Sequence, residues 1–462
     1  MYSLGPKFEF TARGTAAEPI VIRAADGARP HFHRPNASQN IWDIRVEHVV
    51  IRGLAFSGGS AGVRVQEASD FVFEGNEIFD TADVALRMND TTGSQTYARI
   101  QILRNHIHDT GGTGEGMYLG CNEDGCRLAD SVIAGNYVHH TNAGDVRQGD
   151  GIELKEGSYG CVIADNVIHD TNYPCILGYG TVGNGAPNVV ERNVMWNCGD
   201  HGIQWAADAR IRNNIVLSAG NSGIGSQPHQ NASPSDLEIV HNTIVLPSGP
   251  ALSVRNPSGS VLVANNALYA MSGAAILVRG DAGRITFAGN VGRGALDGFS
   301  TGGFTMGDLA ADFAGASYSG GVPNDVFPAA GGALVMGGDA THAVMGDFNG
   351  TARGGVADVG AYAFGEGTNP GWTLAEEPKP EGMAPTPTPD GGVPMTDGGT
   401  IRGDDAATPG RDGGTSPGAD AGPGSEIEGD CGCRATGRGS SSGWLLAVAL
   451  LLGLLRRRRR RR

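Results

Sequence analysis

The chain has 462 residues, a formal net charge of −15 and 75 glycines. A body this acidic does not suit nucleic acid or anionic lipid, and it is more acidic still once the closing run Arg456–Arg462 is set aside. Glycine at more than twice its ordinary usage calls for many tight corners or a flexible linker.

Residues 1–10 show no basic start followed by an apolar run, so no signal peptide is read there. The chain opens instead inside a first turn of structure: Gly14-Thr15, then Pro19-Ile20-Val21-Ile22-Arg23-Ala24, then Asp26-Gly27. A leader and an N-terminal cap are therefore expected upstream of Met1.

From about residue 45 to 290 a unit repeats: alternating apolar residues, then Asn. It reads Phe71-Val72-Phe73-Glu74-Gly75-Asn76, Ile102-Leu103-Arg104-Asn105, Val132-Ile133-Ala134-Gly135-Asn136 and Val162-Ile163-Ala164-Asp165-Asn166. It continues through Asn193, Asn213-Asn214, Asn242, Asn265-Asn266 and Asn290, with Gly53 in the Asn slot of an earlier copy. Slots lie 21 to 31 residues apart, the period of a solenoid. The runs are short, Val- and Ile-rich and alternate with period two, so they are strands. Asn tolerates the left-handed conformation of a sharp corner, and stacked Asn amides can bond from coil to coil.

The pattern resembles the right-handed parallel β-helix of pectate-lyase-like proteins over roughly residues 15–365. The expected fold is all-β: a right-handed parallel β-helix solenoid over 1–368, then a disordered linker and a short C-terminal hydrophobic segment. Gly116-Met117, Gly151-Ile152, Cys175-Ile176, Gly202-Ile203 and Gly223-Ile224 form a second column. If the apolar member points inward, Tyr118, Glu153, Leu177 and Gln204 point outward, followed two positions on by Gly120, Lys155, Tyr179 and Ala206. Glu153 and Lys155 are then neighbours on an exposed strand face, beneath Tyr118.

Cys121 and Cys126 bracket a hairpin-like insertion that a disulfide could staple. The pairing of Cys161, Cys175 and Cys198 stays open, with buried thiols as the alternative. Asp347-Phe348-Asn349-Gly350-Thr351-Ala352-Arg353 and Asp358-Val359-Gly360-Ala361-Tyr362 resemble the terminal segment of secreted bacterial β-helix proteins. There an end-cap over the last coil is expected, with an Arg353–Asp358 pair.

Residues 369–430 turn to Pro, Gly, Asp and Thr and lose large apolar side chains, the composition of a disordered stalk. Residues 431–462 hold Cys431-Gly432-Cys433, thirteen mostly apolar residues from Gly443 to Leu455, and the Arg run. Thirteen is short of the ~20 residues of a stable span. The tail resembles the C-terminal sorting signal of myxobacterial surface proteins. That resemblance implies transient membrane insertion and display on the cell surface or outer membrane of a Gram-negative bacterium. A monomer is expected.

The resemblance to pectate-lyase-like enzymes implies a site on the outer face of one sheet, with calcium and a basic residue acting on a uronate-containing polysaccharide. On this chain Asp150, Glu153 and Glu115 stand where they could hold calcium. Lys155 could be the base, and Tyr118 could line the cleft or donate a proton. His201, Gln204 and Trp205 could contact a sugar ring. The alternative is a surface ion pair between Glu153 and Lys155 in a non-catalytic glycan-binding or adhesion protein. The residue set of polygalacturonase-type hydrolases is absent from the sequence. His108, His139 and His169 recur three residues after an Asn slot; they could bind metal or form a polar turn ladder.

Overall fold

Alternating apolar residues build coils of three short strands in this computed structural model, which describes residues 1–380 other than Thr91, Thr301 and Glu366. One coil is Val132–Ala134, Tyr137–Thr141 and Ile152–Leu154; the next is Val162–Ala164, Val167–Thr171 and Ile176–Gly178. Each strand pairs in parallel with its equivalent one coil on, placing Ile133 against Ile163, Val138 against Ile168 and Ile152 against Ile176. These six side chains are fully buried inside the solenoid. Each contributes roughly 2 kcal/mol of apolar burial. The fold is the expected right-handed parallel β-helix.

The Asn column forms the ladder, with a correction to its reason. Asn105, Asn136 and Asn166 are buried, and each side-chain amide donates to the Oδ1 of the next Asn at 2.9–3.0 Å. The residue that takes the left-handed conformation is the one before: Arg104 (φ 54°), Gly135 (φ 66°), Asp165 (φ 57°). Gly53 (φ 72°) belongs to that corner column, and Leu54 holds the Asn position, donating its N–H to Asn76. The corner turns on one residue, and the Asn after it satisfies the main-chain groups that the corner leaves unpaired. Asn136→Ala would orphan the main-chain and side-chain N–H groups of Asn105 that Asn136 accepts. It should cost about 3 kcal/mol, read as a fall in the denaturation midpoint.

Cys121–Cys126 and Cys175–Cys198 are disulfides, and Cys161 is a buried thiol. The first closes the expected hairpin; the second joins neighbouring coils.

The segment from Asp347 onward does not close the last coil as expected. It lies along the side of the solenoid. Ala361 N–H donates to Thr243 Oγ1 at 2.8 Å, and Gly360 N–H to the Asn265 carbonyl at 2.8 Å. Arg353, buried, donates to Asn213 Oδ1 and to the carbonyls of Asp358, Gly360, Ala361 and Tyr362. It therefore meets Asp358 through the main chain, while the Asp358 carboxylate accepts from Met336 and Phe364 N–H. The packed body also continues past residue 368. Trp372 and Leu374 are buried with Val194 and Ile215, and Lys379 Nζ reaches Asp165 Oδ1 at 2.7 Å. The rest of the expected stalk and the sorting tail, 381–462, lie outside the described residues. Among the described residues no helix is long and apolar enough to cross a membrane.

Candidate active site

The stack containing Met117–Leu119, Ile152–Leu154, Ile176–Gly178 and Ile203–Trp205 sets the site. Its register places Tyr118 beside Glu153, Glu153 beside Leu177 and Leu177 beside Gln204. At the entry to the same strands, Gly116 N–H donates to the Asp150 carbonyl at 2.9 Å, which stacks Glu115 on Asp150. Three carboxylates of two adjacent coils are thereby brought together. One oxygen from each of Glu115, Asp150 and Glu153 lies within 4.8 Å of the other two.

This face is covered, which corrects the expected exposed one. Relative exposure is 1% at Glu115 and Asp150, 2% at Glu153 and 3% at Lys155. Glu115 Oε2, Asp150 Oδ1 and Glu153 Oε2 are buried with no hydrogen-bond partner. Burial, then Glu153, pushes Glu115 up to about 7. Burial, Glu153 and Glu115 hold Asp150 well above the usual carboxylate range. A cation would relieve both strains. The donors are all oxygen, as calcium prefers, and oxygens opposite one another around calcium stand about 4.8 Å apart. The residues present fit such an ion.

Lys155 is locked beside this cluster. Its Nζ donates to Glu153 Oε1 at 2.7 Å and to the Tyr179 hydroxyl at 3.1 Å, and that hydroxyl donates to the same Glu153 oxygen at 2.7 Å. The ammonium lies 4.8 Å from the Tyr118 ring centre and 4.7 Å from that of Tyr179. Burial works to lower the Lys155 pKa, but Glu153, Tyr179 and Tyr118 outweigh it, so the group is a cation. Gly120, one coil earlier, takes φ 105°, and a Cβ there would sit 2.9 Å from Lys155 Cβ. Glycine is what lets the lysine stem pass.

Tyr179, read from the sequence only as an outward position, thus completes the Glu153–Lys155 cluster. His229 is a further addition, its ring 4.9 Å from that of Tyr179. It sits in a loop after the strand Ile224–Ser226, where no periodic signal marks it. Gln204 and His201 fall two coils beyond Glu153 and Asp150, about 10 Å along the axis. Both are buried; His201 Nδ1 accepts from Ser222 N–H at 3.3 Å. Trp205 is excluded from the outer face. The alternation that turns Gln204 outward turns Trp205 into the core, where it is fully buried and its indole N–H donates to the Ala207 carbonyl at 2.9 Å.

A body of stacked coils, each strand paired in parallel with its equivalent one coil on, defines a parallel β-helix protein. The chain belongs to the right handed beta helix region family, whose model matches residues 31–146 and 129–291. Among solved structures, it is similar to pectate lyase Pel9A at 13% identity, covering 78% of this chain and 84% of that one, with a TM-score of 0.47. An alginate lyase from Paenibacillus sp. str. FPU-7 gives 19% identity, 62% and 90% coverage and a TM-score of 0.41. The mannuronan C-5 epimerase AlgE6 A-module of Azotobacter vinelandii gives 13%, 63% and 92%, and 0.44. No curated protein matches the chain.

Proposed function

We propose that the protein is a carbohydrate-active β-helix protein that cleaves a uronate-containing polysaccharide by β-elimination, with calcium held by Glu115, Asp150 and Glu153. The observation that carries this reading is three unpartnered, buried carboxylate oxygens beside a lysine. Calcium there would supply the positive charge that binds the uronate carboxylate and acidifies the adjacent C5–H. Lys155 takes that proton, the C4–O glycosidic bond breaks, a C4–C5 double bond forms, and the departing oxygen is protonated. For Lys155 to act as a base, the charge of Glu153 must be engaged elsewhere. Burial, the largest influence on the amine, then works to lower its pKa without the opposing pull of Glu153. In this reading Tyr118, against the ammonium, donates to the leaving oxygen, and Gln204 and His201, both covered in this structure, meet a neighbouring sugar only when the covering of that face moves aside.

One observation favours the other reading, a non-catalytic glycan-binding or adhesion protein: Glu153 and Lys155 are covered, as a structural ion pair would be. A single experiment separates the two. The full chain is incubated with pectate, alginate and glycosaminoglycan, with calcium or chelator, and the ultraviolet absorbance of unsaturated uronate is followed. Calcium-dependent absorbance is expected. No product on any polymer, with glycan retained in a pull-down, would select the binding protein. The tail motif supports display on the cell surface through transient membrane insertion; Cys431→Ser should leave the protein off the surface in fractionation of the producing cells.

A further inference from the structure

The histidines after the Asn slots form a column on a second sheet, away from the carboxylates. Phe79, His108, His139, His169 and Trp196 stack ring on ring through successive coils, with centroids 4.5–5.3 Å apart. Packing alone explains the stack. It does not explain the three groups at one end of it. Glu77 Oε1 lies 3.5 Å from His106 Nδ1 and 3.5 Å from His108 Nε2. Ligand atoms at two corners of a tetrahedron around zinc stand about 3.4 Å apart. His108 Nε2 is buried and has no hydrogen-bond partner.

We propose that Glu77, His106 and His108 form a site for a divalent transition-metal ion of the zinc class, with a fourth position left to water. Every other polar atom of the three side chains is committed in a way that leaves the ligand atoms bare. Glu77 Oε2 is held by Arg29 at 2.7 Å, which turns Oε1 to the imidazoles. His108 Nδ1 lies 2.6 Å from Asp109 Oδ2, so that nitrogen carries the proton and Nε2 presents its lone pair. A carboxylate behind a histidine is the usual device for orienting a metal ligand. His106 Nε2 lies 2.8 Å from His139 Nε2, and His139 Nδ1 lies 2.6 Å from His140 Nδ1. With metal on His106 Nδ1, one set of protons satisfies this relay: His106 donates to His139, and His139 donates to His140.

The side chains are 36% exposed at His106, 18% at Glu77 and 15% at His108, which leaves the ion a path from solvent. His169, in the same stack, is no ligand: its Nδ1 is bound to Asp170 and its Nε2 to the Tyr137 hydroxyl.

The test is equilibrium dialysis of the full chain, without an added histidine tag, against zinc in excess calcium, which keeps the carboxylate cluster occupied. Cys431 and Cys433 are changed to serine to remove their thiols. One zinc per chain is expected, with a zinc-dependent rise in the thermal midpoint. His108→Ala and Glu77→Gln should lose both, while His169→Ala keeps the zinc. Asp109→Asn, which leaves all three ligands in place, should weaken binding about 10- to 100-fold. Absence of zinc from the parent, retention by His108→Ala and Glu77→Gln, or equal loss from a folded His169→Ala would each overturn the assignment.

Discussion

Lys155→Ala should abolish calcium-dependent β-elimination, lowering the rate of unsaturated product by roughly a thousandfold, the scale of a lost general base. It should also cost about 3–5 kcal/mol of stability in chelator, because Glu153 would be left as a buried carboxylate without its cation. The two effects separate in Lys155→Arg. Arginine keeps the charge beside Glu153 but cannot give up its proton at neutral pH. That variant should stay near parental stability, apart from the strain of a larger head between the Tyr118 and Tyr179 rings, and still make no product. Product from Lys155→Arg at the parental rate would remove Lys155 from the chemistry and leave it as a structural cation.

The second large effect is on stability against pH. Glu115 is raised from an ordinary 4.5 to about 7, and Asp150 moves in the same direction. A carboxyl with a raised folded pKa binds its proton more tightly in the native state. Its contribution is therefore complete below about pH 4.5 and is lost as pH climbs through about 7. For Glu115 the change is roughly 3 kcal/mol. In chelator the thermal midpoint should fall across that window, and Glu115→Gln should flatten the fall. Saturating calcium should reverse the trend, since the ion binds the ionised carboxylates and its stabilisation grows as protons leave. A midpoint in chelator that rises between about pH 5 and about pH 8, or one indifferent to calcium, would contradict the carboxylate site.

Much of this arrangement was legible because a solenoid repeats. Aligning Met117, Ile152, Ile176 and Ile203 puts Tyr118 beside Glu153 and Gln204 two coils on, and the structure has that register. The same parity, followed one residue further, assigns Trp205 to the core. What periodicity does not carry is the covering of a face. Lys155 is buried between Tyr118 and Tyr179, near the Cys121–Cys126 hairpin and the His229 loop, and loop paths obey no repeat. The corner column was hidden for a related reason. Its occupants vary among Gly, Arg, Asp, Asn and His, because the position asks only for a backbone conformation, whereas the following Asn must use its amide. The Cys175–Cys198 pair stayed open because Cys161 lies in a neighbouring coil too, and choosing among three thiols requires knowing where each points.

The segment 347–380 alters how the body would carry load. Coils stacked only on their neighbours peel one at a time from a free end. Here Lys379, one residue before the described body ends, is bound to Asp165 in the middle of the stack, while Gly360 and Ala361 hold coils some hundred residues later in the chain, at Asn265 and Thr243. A pull on the chain beyond residue 380 would meet the Lys379–Asp165 contact first and be spread along the flank through Arg353 before any coil could unwind. The load would then enter the stack at the coil of Asp165, next to the one that carries Glu153 and Lys155, and not at a free end.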